Sequence, residues 1–136
     1  MADLSDIYGI SGSALQAQSM RMRVIAENVA NAATTPSSPN EQPYQRQVVS
    51  FKNEFDRALG ASVVKVAGVT KDKSPPTKKF DPSNPAADAA GYVQTPNVKP
   101  VIEMADMREA QRAYEANLSV IEASRLMMLR TLDVIR

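Results

Sequence analysis

The last 36 residues, 101–136, contain neither glycine nor proline, and this uninterrupted stretch restricts the fold more than any other feature. Met107, Tyr114, Ile121, Met128 and Ile135 recur in it every seven residues, with Met104, Leu118 and Leu132 on a neighbouring line. Apolar residues at that interval share one face of an α-helix. Pro100 suits the first turn, where a missing N–H costs no hydrogen bond. Glu103, Asp106 and Glu109 gather early and Arg125, Arg130 and Arg136 late, which complements the helix dipole. At ~1.5 Å per residue the helix is roughly 54 Å long. A compact domain of this size is under ~40 Å across. Part of the apolar stripe therefore has to face other chains, and assembly is expected from length alone.

The N-terminal flank reads as a second helix. Tyr8, Leu15, Met22 and Val29 form a seven-residue stripe, with Leu4 and Ile25 on a companion line that Ser11 and Gln18 interrupt. Gly9 and Gly12 each cost about 1 kcal/mol inside a helix, and Ser13 with Gln16 has the spacing of a capping box. The expectation is a frayed turn over 3–10 and a firm helix from 13 to about 33, closed by Thr35 before Pro36. Met20 and Met127 point off their stripes and are expected to touch other subunits.

Between the flanks lies a different composition. All nine prolines fall within 36–100, and so do all seven lysines. Net charge is −1 for 1–35 (two bases, three acids), +3 for 36–100 (nine, six) and −1 for 101–136 (five, six), which sums to +1. The expected organisation is an N-terminal helix (1–35), an irregular and β middle (36–100) and a long C-terminal helix (101–136). In the middle, Tyr44 to Phe51 reads as extended, Phe51, Phe55 and Leu59 suggest a short helix, and Val63, Val64, Val66 and Val69 a strand. Residues 72–90, with four prolines and four alanines, read as a loop ordered only by a partner. The fold class is thus mainly α: an elongated, coiled-coil-like helix pair with a proline-rich, partly β middle.

Composition excludes much chemistry. With no His and no Cys the chain has no imidazole base, no thiolate nucleophile and no zinc-finger ligand set. Glu103 with Asp106 would share a helix face, but an acidic helix start explains both, and no second group completes a catalytic site. Lys71, Lys73, Lys78 and Lys79 cluster near Phe80, yet Asp72 and Asp81 interleave them, so a solvated loop outweighs a nucleic-acid contact. The single, scattered glycines match no phosphate-binding loop. The acidic N-terminus lacks the basic start of a secretory signal, and no stretch approaches the ~20 apolar residues of a membrane span. Asn28 and Asn31 end the first helix with mediocre helix formers. They read equally as a fraying terminus or as specific polar contacts that set register, like a buried Asn in a coiled coil.

At these residues the chain resembles a known family. Ala26-Glu27-Asn28-Val29-Ala30-Asn31, followed by Thr34-Thr35, is similar to the Asn-Ile/Val-Ala-Asn signature of the bacterial flagellar rod and hook proteins. Pro43-Tyr44-Gln45-Arg46, Val48-Val49-Ser50-Phe51, Gly91-Tyr92-Val93, Pro96-Asn97-Val98 and Glu103-Met104 follow in the order and spacing of its proximal-rod members. So do Arg112-Ala113-Tyr114-Glu115-Ala116-Asn117 and Met127-Met128-Leu129-Arg130-Thr131-Leu132. Gln42 stands where a glycine commonly precedes Pro-Tyr, and Thr95 where an aromatic is frequent. The resemblance spans nearly the whole chain and is weakest over 60–90.

It implies a structural subunit without cofactor or metal, built into the basal-body rod that passes motor torque to the hook and encloses the export channel. The implied partners are further copies of the chain, the rod proteins FlgB, FlgF, FlgG and FliE, and, during secretion, the flagellar type III export apparatus; neither nucleic acid nor membrane insertion is implied. The protein would be made in the cytoplasm, exported unfolded without a cleaved signal, and placed in the periplasmic rod. Tyr8, Leu15, Met22 and Val29 would pack on the Met107, Tyr114, Leu118, Ile121, Met128, Leu132, Ile135 stripe, and Asn28, Asn31, Arg112 and Asn117 would make polar contacts near the helix pair. The competing reading is a cytosolic adaptor or regulator that dimerises through the C-terminal helix. It explains the heptads but not the ordered motifs at both ends.

Overall fold

The computed structural model describes residues 4–135, and the side chains of 5–135. Helix α1 spans Leu4–Asn31 and α2 spans Pro100–Ile135, and four strands lie between them: β1 Gln47–Asp56, β2 Ala61–Lys71, β3 Thr77–Phe80 and β4 Tyr92–Thr95. The fold is therefore mixed, two terminal helices around a middle of short strands. β1 pairs with β2, and β3 with β4, in separate two-stranded sheets. Among the described residues no helix is long and apolar enough to cross a membrane.

Three expectations change. First, α1 is continuous from Leu4 through Gly9 and Gly12, with no frayed turn over the described part of 3–10, and it ends at Asn31 rather than 33. Ser13 does not cap a helix start; its hydroxyl donates back to the Ile10 carbonyl at 2.7 Å, deep inside the helix. Gly9 is explained by a close approach, because a Cβ there would lie 2.5 Å from Leu59 Cδ1. The missing side chain leaves room for the tip of the β1–β2 hairpin. Second, Phe51 and Phe55 stand in β1 and Leu59 in the following turn, so the suggested short helix is absent. Their i, i+4, i+8 spacing fits a helix, but an even spacing also puts Phe51 and Phe55 on one face of a strand. Gly60, at φ +61°, supplies the left-handed residue of that turn.

Third, residues 72–90 order themselves. β3 pairs antiparallel with β4, Thr77 opposite Thr95 and Phe80 opposite Tyr92. The intervening loop closes on its own backbone: Asp81 N–H donates to Gly91 O and Asp88 N–H to Tyr92 O, each at 2.9 Å. The Asp88 carboxylate accepts from the Ala90 and Tyr92 N–H groups, which holds its pKa below the usual carboxylate value, the Tyr92 bond first among the causes. Prolines do not prevent this order, since aspartate side chains supply the turn bonds that flanking backbone cannot. Thr95, at the position where the family often has an aromatic, bonds Thr77 O at 3.0 Å.

The chain divides into two compact units, each drawing on both helices and the middle. One takes α1 up to Met22, Val49–Gly68 and α2 from Arg108 onward. Its buried residues include Ser11, Ala17, Val63, Ala110 and Ser124. On its surface the ammonium groups of Lys52 and Lys65 lie 2.8 and 2.7 Å from Glu54 and push that carboxyl down to about 2. The other takes Arg23–Val48 and Val69–Met107, and buries Val24, Ile25, Asn28, Ala86, Val93, Val98 and Glu103.

Candidate functional site

Within the second unit, Arg46 and Gln47 lead into β1, and every polar backbone group of the two residues is bonded. Gln47 gives its N–H to Asn28 Oδ1 and takes the Asn28 amide on its carbonyl, both at 2.9 Å. Asn28 thereby imitates the peptide group of a neighbouring strand. Arg46 gives its N–H to Asn97 Oδ1 at 2.7 Å, and its carbonyl accepts from Asp72 N–H at 2.7 Å. Asn97 donates in turn to the Asp72 and Ser74 carbonyls at 3.1 and 3.0 Å. The two asparagines clamp the extended segment, one from α1 and one from the approach to α2.

Asn28 is 1% exposed and uses its full bonding capacity. Besides the Gln47 pair, its oxygen accepts the Tyr44 hydroxyl at 2.9 Å and its amide donates to Glu103 Oε2 at 3.1 Å. Glu103, fully buried in the first turn of α2, takes Arg46 Nε on its other oxygen. The rest of the guanidinium lies 3.5 Å from Asp106 and 3.7 Å from Asp72. The hydrogen bond to Glu103, more than any other cause, raises the Arg46 pKa, so the group stays a cation throughout. Burial raises the Tyr44 phenol, helped by Glu27 and Glu103. Bonds from Ser74 lower Asp72. An open groove of about 430 Å³ runs beside the cluster, between Pro75, Thr77, Lys99 and Ile102.

This arrangement fixes geometry. Its charged groups spend their bonds on one another and on the backbone, as a buried polar network must if it is to be tolerated. The early acids of α2 answer arginines elsewhere in the chain in addition to their own helix dipole: Glu103 and Asp106 meet Arg46, and Glu109 meets Arg21 at 3.3 Å.

Of the four residues expected to make polar contacts near the helix pair, Asn28 alone joins the cluster, where it meets Glu103, the acid that the sequence pairs with Asp106. Asn31 and Asn117 fold back onto carbonyls of their own helices, Glu27 and Ala113, and Arg112 is exposed. Tyr8, Leu15, Met22 and Val29 are half-buried, as are Met107, Tyr114 and Ile121, whereas Leu118, Met128, Leu132 and Ile135 are exposed. The deepest line on α2 is Glu103, Ala110 and Ser124, with half-buried Asn117 in step between them. Sequence reasoning missed Arg46 and Asn97 as working residues and read Glu103 as a helix-start acid. Arg46 and Glu103 stand 57 positions apart, and no local pattern pairs them.

Comparison with known proteins agrees with the two ends of the chain. Residues 10–36 match the family described as "Flagella basal body rod protein", and residues 89–134 the "Flagellar basal body rod FlgEFG protein C-terminal". The second match takes in Asn97 and Glu103, and the first Asn28. The chain is 45% identical to the flagellar basal-body rod protein FlgC of Agrobacterium fabrum over its whole length and 98% of that protein. It is 43% identical to FlgC of Salmonella typhimurium over 96% of this chain and 97% of that one. Against FlgC of Bacillus subtilis it is 37% identical, over 92% and 93%. The match runs over nearly the full length of each of these rod proteins, which does not favour a cytosolic adaptor. The chain belongs to the FlgC family of flagellar basal-body rod proteins, structural subunits of the rod and not enzymes.

Proposed function

We propose that the chain works as a section of the drive shaft, seating its helices on neighbouring subunits so that the rod carries torque from motor to hook and encloses the export channel. The observation that carries this reading is the far end of α2, where Leu126, Met127, Met128, Leu129, Leu132, Val134 and Ile135 are all exposed. Fully burying one such side chain contributes about 1.5–3 kcal/mol. A helix apolar on nearly every side is stable in water only when other elements surround it.

On this reading the three segments divide the work: segments 1–35 and 101–136, through α1 and α2, build a mainly α, coiled-coil-like core, and 36–100 reaches other subunits. Tyr8, Leu15, Met22, Val29, Met107, Tyr114, Leu118, Ile121, Met128, Leu132 and Ile135 supply the packing between helices, within a copy or across copies. Asn31, Arg112 and Asn117 add polar contacts there. The neighbours are further copies together with FlgB, FlgF, FlgG and FliE. The subunit reaches the periplasmic rod through the type III export apparatus, without a cleaved signal and with the apolar far half of α2 unfolded until docking supplies its partners. Mass spectrometry of purified, stringently washed hook–basal bodies tests the placement: stoichiometric recovery is expected, and absence from intact basal bodies overturns it. Helical circular dichroism from dilute monomer strong enough to account for all 36 residues of α2 as well as α1 would contradict folding on docking.

A further inference from the structure

The β3–β4 ribbon carries a surface that nothing among the described residues covers. Paired residues of neighbouring strands share a face, as do residues two apart on one strand. Lys78, Phe80, Tyr92 and Gln94 therefore lie on one side of the ribbon, and Val93, 1% exposed, on the other. Phe80 is 62% and Tyr92 43% exposed, their rings edge to face with centroids 5.3 Å apart. The pair is held in place, because a side chain at Gly91, itself at φ +83°, would come within 3.0 Å of the Phe80 ring. Among the described residues no carboxylate forms an ion pair with Lys78. The nearby acids Asp81 and Asp88 are bonded to Ser83 and to the loop N–H groups. A fixed aromatic pair beside a lysine that acts on Asp88 only at a distance and forms no ion pair among the described residues is the composition of an interface anchor.

The matching surface is on α2. Glu115, Leu118, Glu122, Leu126, Leu129 and Asp133 follow one another at steps of three and four, so they form a single ridge. All six are exposed, and the buried Ala110 and Ser124 lie on the opposite side of the helix. The ridge mixes three carboxylates with three leucines, and its three acids form no ion pair among the described residues. Spacing agrees as well as charge. Lys78 and Phe80 are two strand residues apart, about 6.6 Å. Glu122 and Leu126 are four helix residues apart, about 6 Å.

We infer that the Lys78–Phe80–Tyr92–Gln94 face of one copy docks the Glu122–Leu126–Leu129 ridge of a second copy of this chain, Lys78 meeting Glu122 and the aromatic pair receiving the two leucines. The two surfaces are different, so the contact is heterologous and propagates along a helical array instead of closing as a symmetric dimer. The inference rests on the rod reading above, which needs such a contact but does not name it.

The chain has no cysteine, so a disulfide can report the contact without background. Cells expressing Phe80→Cys and Leu126→Cys copies together would be used to purify basal bodies, which are then oxidised with copper phenanthroline and resolved by non-reducing electrophoresis. Both positions are exposed, so the substitutions leave the fold intact. A band at twice the chain mass in the mixed sample, at least tenfold stronger than in either variant alone, is the expected result. Introducing Lys78→Glu into the Phe80→Cys copy should remove it, and Glu122→Lys on the Leu126→Cys copy should restore it. Full recovery of the chain without the mixed band overturns this contact and leaves the rod reading standing. A strong band from one variant alone, or a cross-link to a different rod protein, overturns the choice of occupant. Absence of the chain from the basal bodies removes the rod reading and this inference with it.

Discussion

The clamp around Arg46 and the far half of α2 solve opposite problems. Around Arg46, groups separated by most of the chain's length satisfy one another internally. Asn28 makes four hydrogen bonds, Glu103 is fully buried, and Asn97 ties three backbone segments together. Along α2 beyond Ser124, the apolar side chains are exposed. The first region is satisfied within one copy, and the second, on the function proposed above, depends on neighbours. A subunit that must stay monomeric until it reaches a growing structure benefits from this division, because the parts that could aggregate lack a rigid partner until docking.

The contrast is tested most sharply by Arg46→Ala. It leaves the buried Glu103 carboxylate without its cation, and unfolding free energy measured by urea titration should fall by about 3–5 kcal/mol. Ile121→Asp should do the reverse: little change in monomer stability at a half-buried position, but loss of assembly, because a charge in a packed seam costs several kcal/mol. Motility and basal-body yield read that effect, and a variant that still builds functional flagella removes Ile121 from the interface. Equal losses of monomer stability in both variants would erase the distinction between the two regions.

Smaller effects sharpen it. Asn28→Ala strands the Gln47 N–H and carbonyl and should cost about 1–3 kcal/mol. Asn117→Ala removes only a bond to its own helix and should be neutral or slightly stabilising, since alanine is the better helix former. Similar losses at the two sites would show that Asn117 works between helices. The smallest effect is alkaline. The folded Tyr44 phenol has a raised pKa, so its contribution is fully present below the ordinary value of 10 and is lost as pH rises through the higher folded value. Urea midpoints measured from pH 8 upward should fall more steeply above 10 in the native chain than in Tyr44→Phe.

Some of this was legible in the sequence. An unbroken run of 36 residues free of glycine and proline marked α2 as one long helix, because helix breaking is a local property of those residues. The valines between Gly60 and Lys71 likewise marked β2. α1 was harder. Gly9 and Gly12 argue against a helix on propensity, and only the approach of Leu59 accounts for Gly9. The segment 72–90 was misread for a related reason. Its prolines signal irregularity, whereas its order comes from β4 and from aspartate-capped turns that pair positions up to 18 residues apart.

By itself the sequence determined the two helices, the surplus of apolar surface on the longer one and the family, since each follows from residue type and spacing along the chain. The tertiary structure alone decided that Arg46 answers Glu103, that Asn28 stands in for a strand, and that small and polar residues occupy the deepest line of α2. Those choices depend on which distant groups share a desolvated space. There, an unpaired charge costs several kcal/mol, and the pairing that removes this cost leaves no periodic trace in the sequence.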